Sequence, residues 1–383
     1  MKTILLALFL GLIYFSYAQQ TAHLSEISYK SKFLNQKRPI YIYTPAEYTE
    51  RDLVSFDVVY VFDAQNREVF DLVHSNLSFI FPNKRFIVVG ISSPAYEKSE
   101  YYRVSDFLPK PLNVPLEKYQ TDKPNAENFW LFFKDEVMPY IGKNYRTTNV
   151  NYLIGHSLSA SFVLDKAIYF PDLFKGFLCI SPNFAYDNQR LADDFINNDF
   201  DNAKTDKFLY LSQCNEPETF PVAWADAYYK VESFIDTTAD FKKFEVQTKL
   251  FHDYNHWQGF MPALQDGLTA LSYFIERTPY ALDSIPNEVT ITLTVPNKTD
   301  EVYIVGNQES LGNWEPSAVK MNKVSDFERT IQLKVNYPME FKFTKGSWET
   351  EGFTNQTTND AENIVIYRPK SNKLKLKILA WAE

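Results

Sequence analysis

Short apolar runs alternate with longer amphipathic stretches from about residue 40 to residue 275. Six of these runs have the length and composition of buried strands: "FDVVYVFDAQ", "RFIVVGIS", "VNYLIGHS", "GFLCISP", "FLYLSQC" and "EVQTKLF". Alternation of strands with helix-length segments favours βαβ units, in which helices cover both faces of a largely parallel sheet. The stretch "ENFWLFFKDEVMPYIGKNY" fits one such helix, because its large apolar side chains recur at helical spacing. The pattern therefore predicts an α/β domain.

The sequence changes character after "RTPYALDSIPNE", whose two prolines break the helical period. Runs of alternating polar and apolar residues follow, among them "EVTITLTVP", "EVYIVGN", "RTIQLKV" and "MEFKFTKGSW". Runs at these intervals are typical of an antiparallel, immunoglobulin-like β-sandwich. We expect an α/β domain at 19–278, a linker at 279–286 and an all-β sandwich domain at 287–383.

The first eighteen residues, "MKTILLALFLGLIYFSYA", have the parts of a secretory signal peptide: a lysine, an apolar run and a Ser-x-Ala end. We expect cleavage after Ala18 and export to the periplasm or the cell exterior, with no membrane span left in the mature chain. An uncleaved membrane anchor is the alternative, but the apolar run is short and no stop-transfer charges follow it.

Charge and cysteine content limit the partners and the chemistry. A net charge of -9 without any block of basic residues argues against nucleic acids and anionic membrane surfaces as partners. Cys179 and Cys214 each lie within an apolar, strand-like run, so we expect two buried thiols instead of a disulfide framework.

The run "YLIGHSLSA" carries the candidate nucleophile, Ser157. In α/β-hydrolases a strained turn between a strand and a helix exposes the catalytic serine, usually within the pattern G-x-S-x-G. Here "VNYLI" precedes the turn and "SASFVLDKAIYF" follows it, but Ser159 replaces the last glycine of the pattern. The alternative is that Ser157 is only a small residue at a tight turn.

The acid and then the base follow the nucleophile along the chain of an α/β-hydrolase. Only His252 and His256 come late enough to be the base, and we choose His256 because it stands just before a new amphipathic helix. Two histidines four apart could also bind a metal, but no H-E-x-x-H is present. Glu216, after the strand "FLYLSQC", is the candidate acid, with Glu218 in reserve. We interpret the other histidines as surface or packing residues: His23, His74 and His156.

Two backbone N–H groups are needed to bind the oxyanion that forms when a serine attacks an ester. One belongs to the residue after the nucleophile, here Leu158, and the other to the loop after an early strand. In "VVYVFDAQN" that loop offers Ala64 or Gln65. We expect the side chain of Asp63 to shape this turn and to take no part in the chemistry.

Further segments of the first domain carry a family pattern, among them "RPIYIYTPAEY", "YYRVSDFLP", "FFKDEVMPYIGKNYRT", "YLIGHSLSASFVL" and "NHWQGFMPALQDGL". They resemble the esterase family that includes esterase D, enterochelin and other siderophore esterases, and feruloyl esterases. The resemblance implies that Ser157, Glu216 and His256 are the nucleophile, the acid and the base. The family usually has glycine where this chain has Ser159 and Ala64, and both replacements are small.

The second domain contains "VYIVGNQESLGNWEPSAVKM", followed by "EFKFTKGSWET". These segments resemble the family 20 carbohydrate-binding module, also called the starch-binding domain. The resemblance implies a sugar-binding face made of Trp314, Lys342 and Trp348, where an indole ring can cover the apolar face of a glucose. The family's Asn-Arg pair is not found in "TEGFTNQTTNDAEN". The alternative is that the two tryptophans close the ends of the sandwich.

These features predict an exported serine esterase, with no metal and no organic cofactor, that is held near an α-glucan-like polysaccharide by its second domain. Its ester substrate would be an acylated carbohydrate or a phenolic ester. A first alternative is a siderophore trilactone esterase, and a second, of another class, is a catalytically silent glycan-binding surface protein. Four aromatic residues would suit either a phenolic acyl group or an iron catecholate: Tyr101, Tyr102, Trp224 and Trp257.

Overall fold

The computed structural model describes residues 22–93, 95–96, 99–116, 123–354 and 361–382. The predicted signal peptide lies outside the described residues. Within these ranges, no helix is both long enough and apolar enough to cross a membrane.

An eight-stranded sheet forms the centre of the first domain, with the strand order β1-β2-β4-β3-β7-β8-β9-β10. Its strands are β1 (His23–Lys30), β2 (Lys37–Thr44), β3 (Phe56–Phe62), β4 (Phe86–Ile91), β7 (Thr147–His156), β8 (Gly176–Ile180), β9 (Lys207–Cys214) and β10 (Phe244–Phe251). A separate ribbon pairs β5 (Ala95–Tyr96) with β6 (Ser99–Tyr101). Strand β2 runs antiparallel to both of its neighbours, and strands β3, β4 and β7 to β10 are mutually parallel. The largely parallel sheet predicted from the sequence is confirmed.

Helices cover both faces of this sheet, because successive side chains of a buried strand point to opposite sides. They are α1 (Glu47–Glu50), α2 (Arg67–Ile80), α3 (Arg103–Phe107), α4 (Ala126–Leu131), α5 (Met138–Asn144), α6 (Leu158–Tyr169), α7 (Tyr186–Asn197), α8 (Val222–Thr237) and α9 (Phe260–Arg277). Val59 and Val61 of β3 pack with α2 and α9, whereas Val58, Tyr60 and Phe62 pack with α4 to α6. The predicted long helix is present as α4 and α5, joined by a π-helical turn at Phe132–Val137.

The second domain is a sandwich of two four-stranded sheets, β14-β15-β11-β19 and β13-β12-β16-β18. Its strands are β11 (Asn287–Thr294), β12 (Tyr303–Gly306), β13 (Val319–Lys320), β14 (Asn322–Lys323), β15 (Glu328–Val335), β16 (Met339–Thr344), β17 (Gly352–Phe353), β18 (Ile364–Ile366), β19 (Lys373–Lys377) and β20 (Ala380–Trp381). The expectation of an antiparallel sandwich is wrong at one place, because β11 and β19 pair in parallel. These two strands lie at opposite ends of the domain's sequence, so no hairpin forces them to run antiparallel.

The two domains are joined by backbone and ionic contacts. The N–H of Ser55 donates to the carbonyl of Val365 at 2.8 Å, and the N–H of Tyr367 donates to Ser55 Oγ at 3.1 Å. Arg51 and Glu362 form a buried ion pair with 2.5 Å between Nη1 and Oε2. Such pairing of buried polar groups holds the sandwich in one place against the first domain.

Candidate active site

Ser157 lies at the turn between the central strand β7 and helix α6. Its backbone angles, φ 62° and ψ -122°, are rare for a residue with a side chain and mark a strained turn. Gly155 makes the turn possible, because a Cβ there would lie 2.5 Å from the carbonyl carbon and oxygen of Ser159. The predicted strand-turn-helix context of Ser157 is therefore present.

The hydroxyl of Ser159 ties this turn to the loop after β3. Ser159 Oγ lies 2.7 Å from Asp63 Oδ2, and it accepts a hydrogen bond of 2.9 Å from the N–H of His156. It also lies 2.9 Å from the carbonyl oxygen of His156, but a hydroxyl has one proton and the carboxylate is the stronger acceptor. The side chain that departs from the glycine pattern thus forms hydrogen bonds that a glycine lacks.

Arg103 completes what we call the turn network, which consists of Asp63, Arg103, His156 and Ser159. Its guanidinium binds both carboxylate oxygens of Asp63, at 2.6 and 2.9 Å, and lies 3.3 Å from the carbonyl of His156. Burial alone raises the pKa of Asp63, but the charge and hydrogen bonds of Arg103, together with the hydrogen bonds of Ser159 and Gln65, hold this pKa below its ordinary value. The pairing of Arg103 with Asp63 was not predicted from the sequence, since the two residues are forty positions apart.

Glu216 and His256 form a fully buried pair, with 2.7 Å between Oε2 and Nδ1. Glu216 begins the turn after β9, and its second oxygen accepts the N–H of Cys214 at 3.2 Å. The reserve candidate, Glu218, is exposed and accepts a hydrogen bond from the side chain of Asn215. A buried carboxylate in contact with Nδ1 favours the tautomer that leaves the other ring nitrogen, Nε2, without a proton.

Nε2 of His256 is buried and has no hydrogen-bond partner among the described residues, and this includes Ser157 Oγ. A buried ring nitrogen without a partner is costly, and this nitrogen is able to accept a hydrogen bond from another molecule. Hydrogen bonds at active sites without substrate are often long and shorten only when the substrate binds.

A close approach between two segments places the ring of His256. A Cβ on Gly259 would lie 2.0 Å from Cys214 Sγ, so only glycine lets the loop after β10 descend onto the end of β9. The rings of Phe220 and Trp224 then stand edge-on to the imidazole, with centroids 4.6 and 5.6 Å away. Cys179 and Cys214 are both buried and form no disulfide bond, as expected from the sequence.

His156 is buried beside His256, where it is part of the wall of the site. Its Nε2 lies 3.0 Å from the carbonyl oxygen of His256, and their ring centroids are 4.7 Å apart. Burial lowers the pKa of His156 to about 3, so the ring is neutral and donates from Nε2. The prediction that His156 is a packing histidine is therefore confirmed. His252, which was not chosen as the base, is exposed.

The candidate oxyanion donors differ in what they already bind. The N–H of Ala64 donates to the carbonyl of Ile91 at 3.2 Å, which leaves it engaged. Gln65 is anchored through its side chain, whose Oε1 accepts the N–H of Ser93 at 2.8 Å. Leu158 is the first residue of α6, and the first N–H groups of a helix have no acceptor within it.

Aromatic side chains lie around the Glu216–His256 pair. Trp257 is 61% exposed and its ring centroid lies 5.0 Å from that of His256. Trp224 is buried and donates to the carbonyl of Pro182. Tyr102, by contrast, is half-buried with its ring beneath the guanidinium of Arg38, 5.0 Å from the ring centroid. The side chain of Tyr101 lies outside the described residues.

The three residues predicted to bind sugar line one cavity at the second domain. Trp348 is 42% exposed, and Trp314 is half-buried on a turn with φ 64°. Lys342 Nζ lies 3.1 Å from the carboxylate of Glu351. The segment searched for the family's Asn-Arg pair lies partly outside the described residues.

A sheet in the order given above, with one antiparallel strand and a strained serine turn after its central strand, defines an α/β-hydrolase fold. The chain belongs to the family described as "Putative esterase", whose model matches residues 31–271, and it is a carboxylic ester hydrolase. Residues 288–375 match the starch-binding domain.

Solved structures with the same fold include an IroE-like serine hydrolase from Shewanella oneidensis. It is 22% identical with a TM-score of 0.55, over 65% of this chain and 80% of that one. The BES protein from Bacillus cereus is 21% identical with a TM-score of 0.53, over 64% and 93%. The siderophore hydrolase EstA from Aspergillus nidulans is 20% identical with a TM-score of 0.51, over 67% and 95%. A search of curated proteins gives no significant match.

Proposed function

We propose that this chain is an exported serine esterase with a Ser157–His256–Glu216 triad, held on an α-glucan-like polysaccharide by its starch-binding domain. The observation that carries the triad is the buried Glu216–His256 pair, whose Nε2 is unpartnered. A histidine held in this way is placed to accept a proton from a serine hydroxyl.

The reaction begins when Ser157 Oγ attacks the carbonyl carbon of the ester and its proton moves to His256 Nε2. Glu216 stabilises the imidazolium that forms, and the N–H groups of Leu158 and Gln65 bind the oxyanion. We prefer Gln65 to Ala64 as the second donor because the N–H of Ala64 is bound to Ile91.

The tetrahedral intermediate collapses when the carbon–oxygen bond to the alcohol breaks and His256 returns its proton to the leaving alkoxide. Water then attacks the acyl-enzyme with His256 as the base, which releases the acid and restores the hydroxyl of Ser157. The chemistry consumes one water molecule for each ester and needs no cofactor.

Exposed aromatic area beside the triad, above all Trp257, favours an ester with a flat acyl group, as in phenolic acid esters of carbohydrates. A siderophore lactone is the alternative substrate, because an iron catecholate offers the same flat rings. Turnover of acetylated sugars, feruloyl esters and an enterobactin-like trilactone, compared by kcat/KM, discriminates among these substrates.

A fluorophosphonate probe tests the triad itself, because it labels only an activated serine. We expect labelling of the mature chain, no labelling of Ser157→Ala, and at least a hundredfold slower labelling of His256→Ala. His252→Ala is the matched control and should label at the wild-type rate. Labelling that survives Ser157→Ala would refute the assignment.

The catalytically silent alternative rests on the departure from the glycine pattern at Ser159 together with the appended binding domain. The hydrogen bonds of the Ser159 hydroxyl weaken the first of these two grounds. Absence of labelling in a folded wild-type chain would restore it. Retention of the wild-type chain on insoluble starch, with release by soluble maltooligosaccharides, tests the tether separately from the chemistry. Fractionation of the source cells tests export.

A further inference from the structure

The face of the starch-binding domain that carries Trp314, Lys342 and Trp348 lies opposite part of the first domain. It lines a cavity of about 650 Å³ whose other wall belongs to the first domain. We call this cavity the interdomain cleft. Its volume lies in the range of about 300–1,000 Å³ that is usual for sites of small organic ligands.

The first domain contributes the edge of the sheet that is opposite to the triad. Asp57, Asn149 and Lys207 lie at the amino ends of β3, β7 and β9, and all three line the cleft. The triad candidates follow the carboxyl ends of the parallel strands. Strand β3 has seven residues, so the two sites are roughly 20 Å apart at about 3.3 Å per residue.

Hydrogen bonds and an ion pair fix the side chains that the first domain contributes to the cleft. Asp57 is buried, pairs with Lys84 at 2.8 Å, and accepts hydrogen bonds from Thr148 at 2.6 Å and from Tyr280 at 3.0 Å. Tyr280 belongs to the segment that leads into the second domain. The contacts of Arg51 and Ser55 with the second domain hold the opposite wall at a set distance.

Lys175 supplies a donor on this wall. Lys175 lines the cleft with its ammonium 5.0 Å from the centroid of the Phe274 ring, and among the described residues this ammonium has no hydrogen bond or ion pair. Burial lowers its pKa, as expected of a cation with few partners. Sugar hydroxyls are good acceptors for such a group, whereas the indoles across the cleft can cover the apolar faces of sugar rings.

We infer that a segment of α-glucan binds in the interdomain cleft between both domains, so that the esterase domain supplies half of the sugar site. This inference rests on the proposed glucan binding and adds Lys175 and its neighbours to the three module residues. A polymer held there lies on the far side of the sheet from Ser157. The ester that is cleaved therefore belongs to another chain, or to a distant part of the same chain.

Titration calorimetry of the full mature chain with maltoheptaose tests the inference. We expect Lys175→Ala to weaken the Kd by roughly two- to tenfold, the range for one hydrogen bond, and Trp348→Ala to weaken it more. Lys249→Ala, an exposed lysine of β10 that does not line the cleft, is the matched control and should leave the Kd unchanged. Lys249→Ala should also hydrolyse a small soluble ester at the wild-type rate.

Hydrogen exchange gives a second measurement that needs no variant. We expect maltoheptaose to protect backbone amides at 83–85 and 280–281 in the first domain, together with amides at 346–350. Protection confined to 346–350, with no effect of Lys175→Ala, would overturn the composite site but leave glucan binding by the module intact. A Trp348→Ala chain that binds as tightly as the wild type would instead refute the proposed sugar site.

Discussion

Replacement of Ser159 tests whether its hydroxyl supports the turn that carries Ser157 or is a defect in the glycine pattern. In Ser159→Ala, Asp63 loses a hydrogen bond of 2.7 Å and the buried N–H of His156 loses its acceptor. A hydrogen bond to a charged group contributes about 1.5–3 kcal/mol, and an unsatisfied buried donor costs about 1–3 kcal/mol. Asp63 keeps Arg103 and Gln65, so we expect the free energy of unfolding to fall by about 2–3 kcal/mol.

The rate should fall as well, because the same contacts position Ser157. Misplacement of a reacting group by 1 Å can cost about a hundredfold, so a smaller shift should lower kcat/KM by roughly ten- to a hundredfold. Ser159→Gly restores the family pattern but loses the same hydrogen bonds. We therefore expect it to be no more stable than Ser159→Ala, and slower than the wild type.

Urea unfolding followed by tryptophan fluorescence gives the stability, and hydrolysis of a nitrophenyl ester gives kcat/KM. Ser78→Ala is the matched control, because its half-buried hydroxyl donates to the carbonyl of His74 within α2 at 3.1 Å and otherwise has one long contact, 3.5 Å from the hydroxyl of Tyr43. Ser78→Ala should change the free energy of unfolding by no more than about 0.5 kcal/mol and should leave kcat/KM at the wild-type value. A Ser159→Gly chain with wild-type stability and an equal or higher rate would refute the reasoning.

Three further perturbations test the proposed base and the turn network. Gly259→Ala should lower kcat/KM about a hundredfold by pushing the loop of His256 away from Cys214, and adding Cys214→Ala should restore part of the loss. Glu216→Gln should keep the fold and lower kcat by about a thousandfold, measured at saturating ester, because an amide does not stabilise the imidazolium. The pKa of Asp63 is lower in the folded chain than its unfolded value of about 3.9, so its contribution to stability is present above that pH. That contribution should be lost as the pH falls through the folded pKa, and wild-type and Asp63→Asn unfolding midpoints should converge in acid.

Local patterns were sufficient for much of the fold. The alternation of strand runs and helical stretches predicted the parallel sheet, and the proline-rich break preceded the change to a sandwich. These features are readable because side-chain periodicity reflects which face of an element is buried. The sequence pattern did not predict the parallel pairing of β11 with β19, because these strands lie at the two ends of the second domain's sequence.

Part of the candidate site was likewise predicted from the sequence, and part was not. Chain order and residue type led to Ser157, Glu216 and His256 as the candidates, because hydrolases present these groups in a set order after successive strands. The sequence also marked the two tryptophans of the second domain, which stand in polar turns. The sequence could not predict the burial and the hydrogen-bond partners of each group, because these depend on distances between segments far apart in the chain.

Only the tertiary structure decided why Ser159 is tolerated, because its partner Asp63 is almost a hundred residues away along the chain. Packing likewise separated Glu216 from Glu218 and brought Trp348 to face the first domain across the interdomain cleft. These results depend on contacts between distant segments, whose geometry follows from how the whole core is filled and not from any local period.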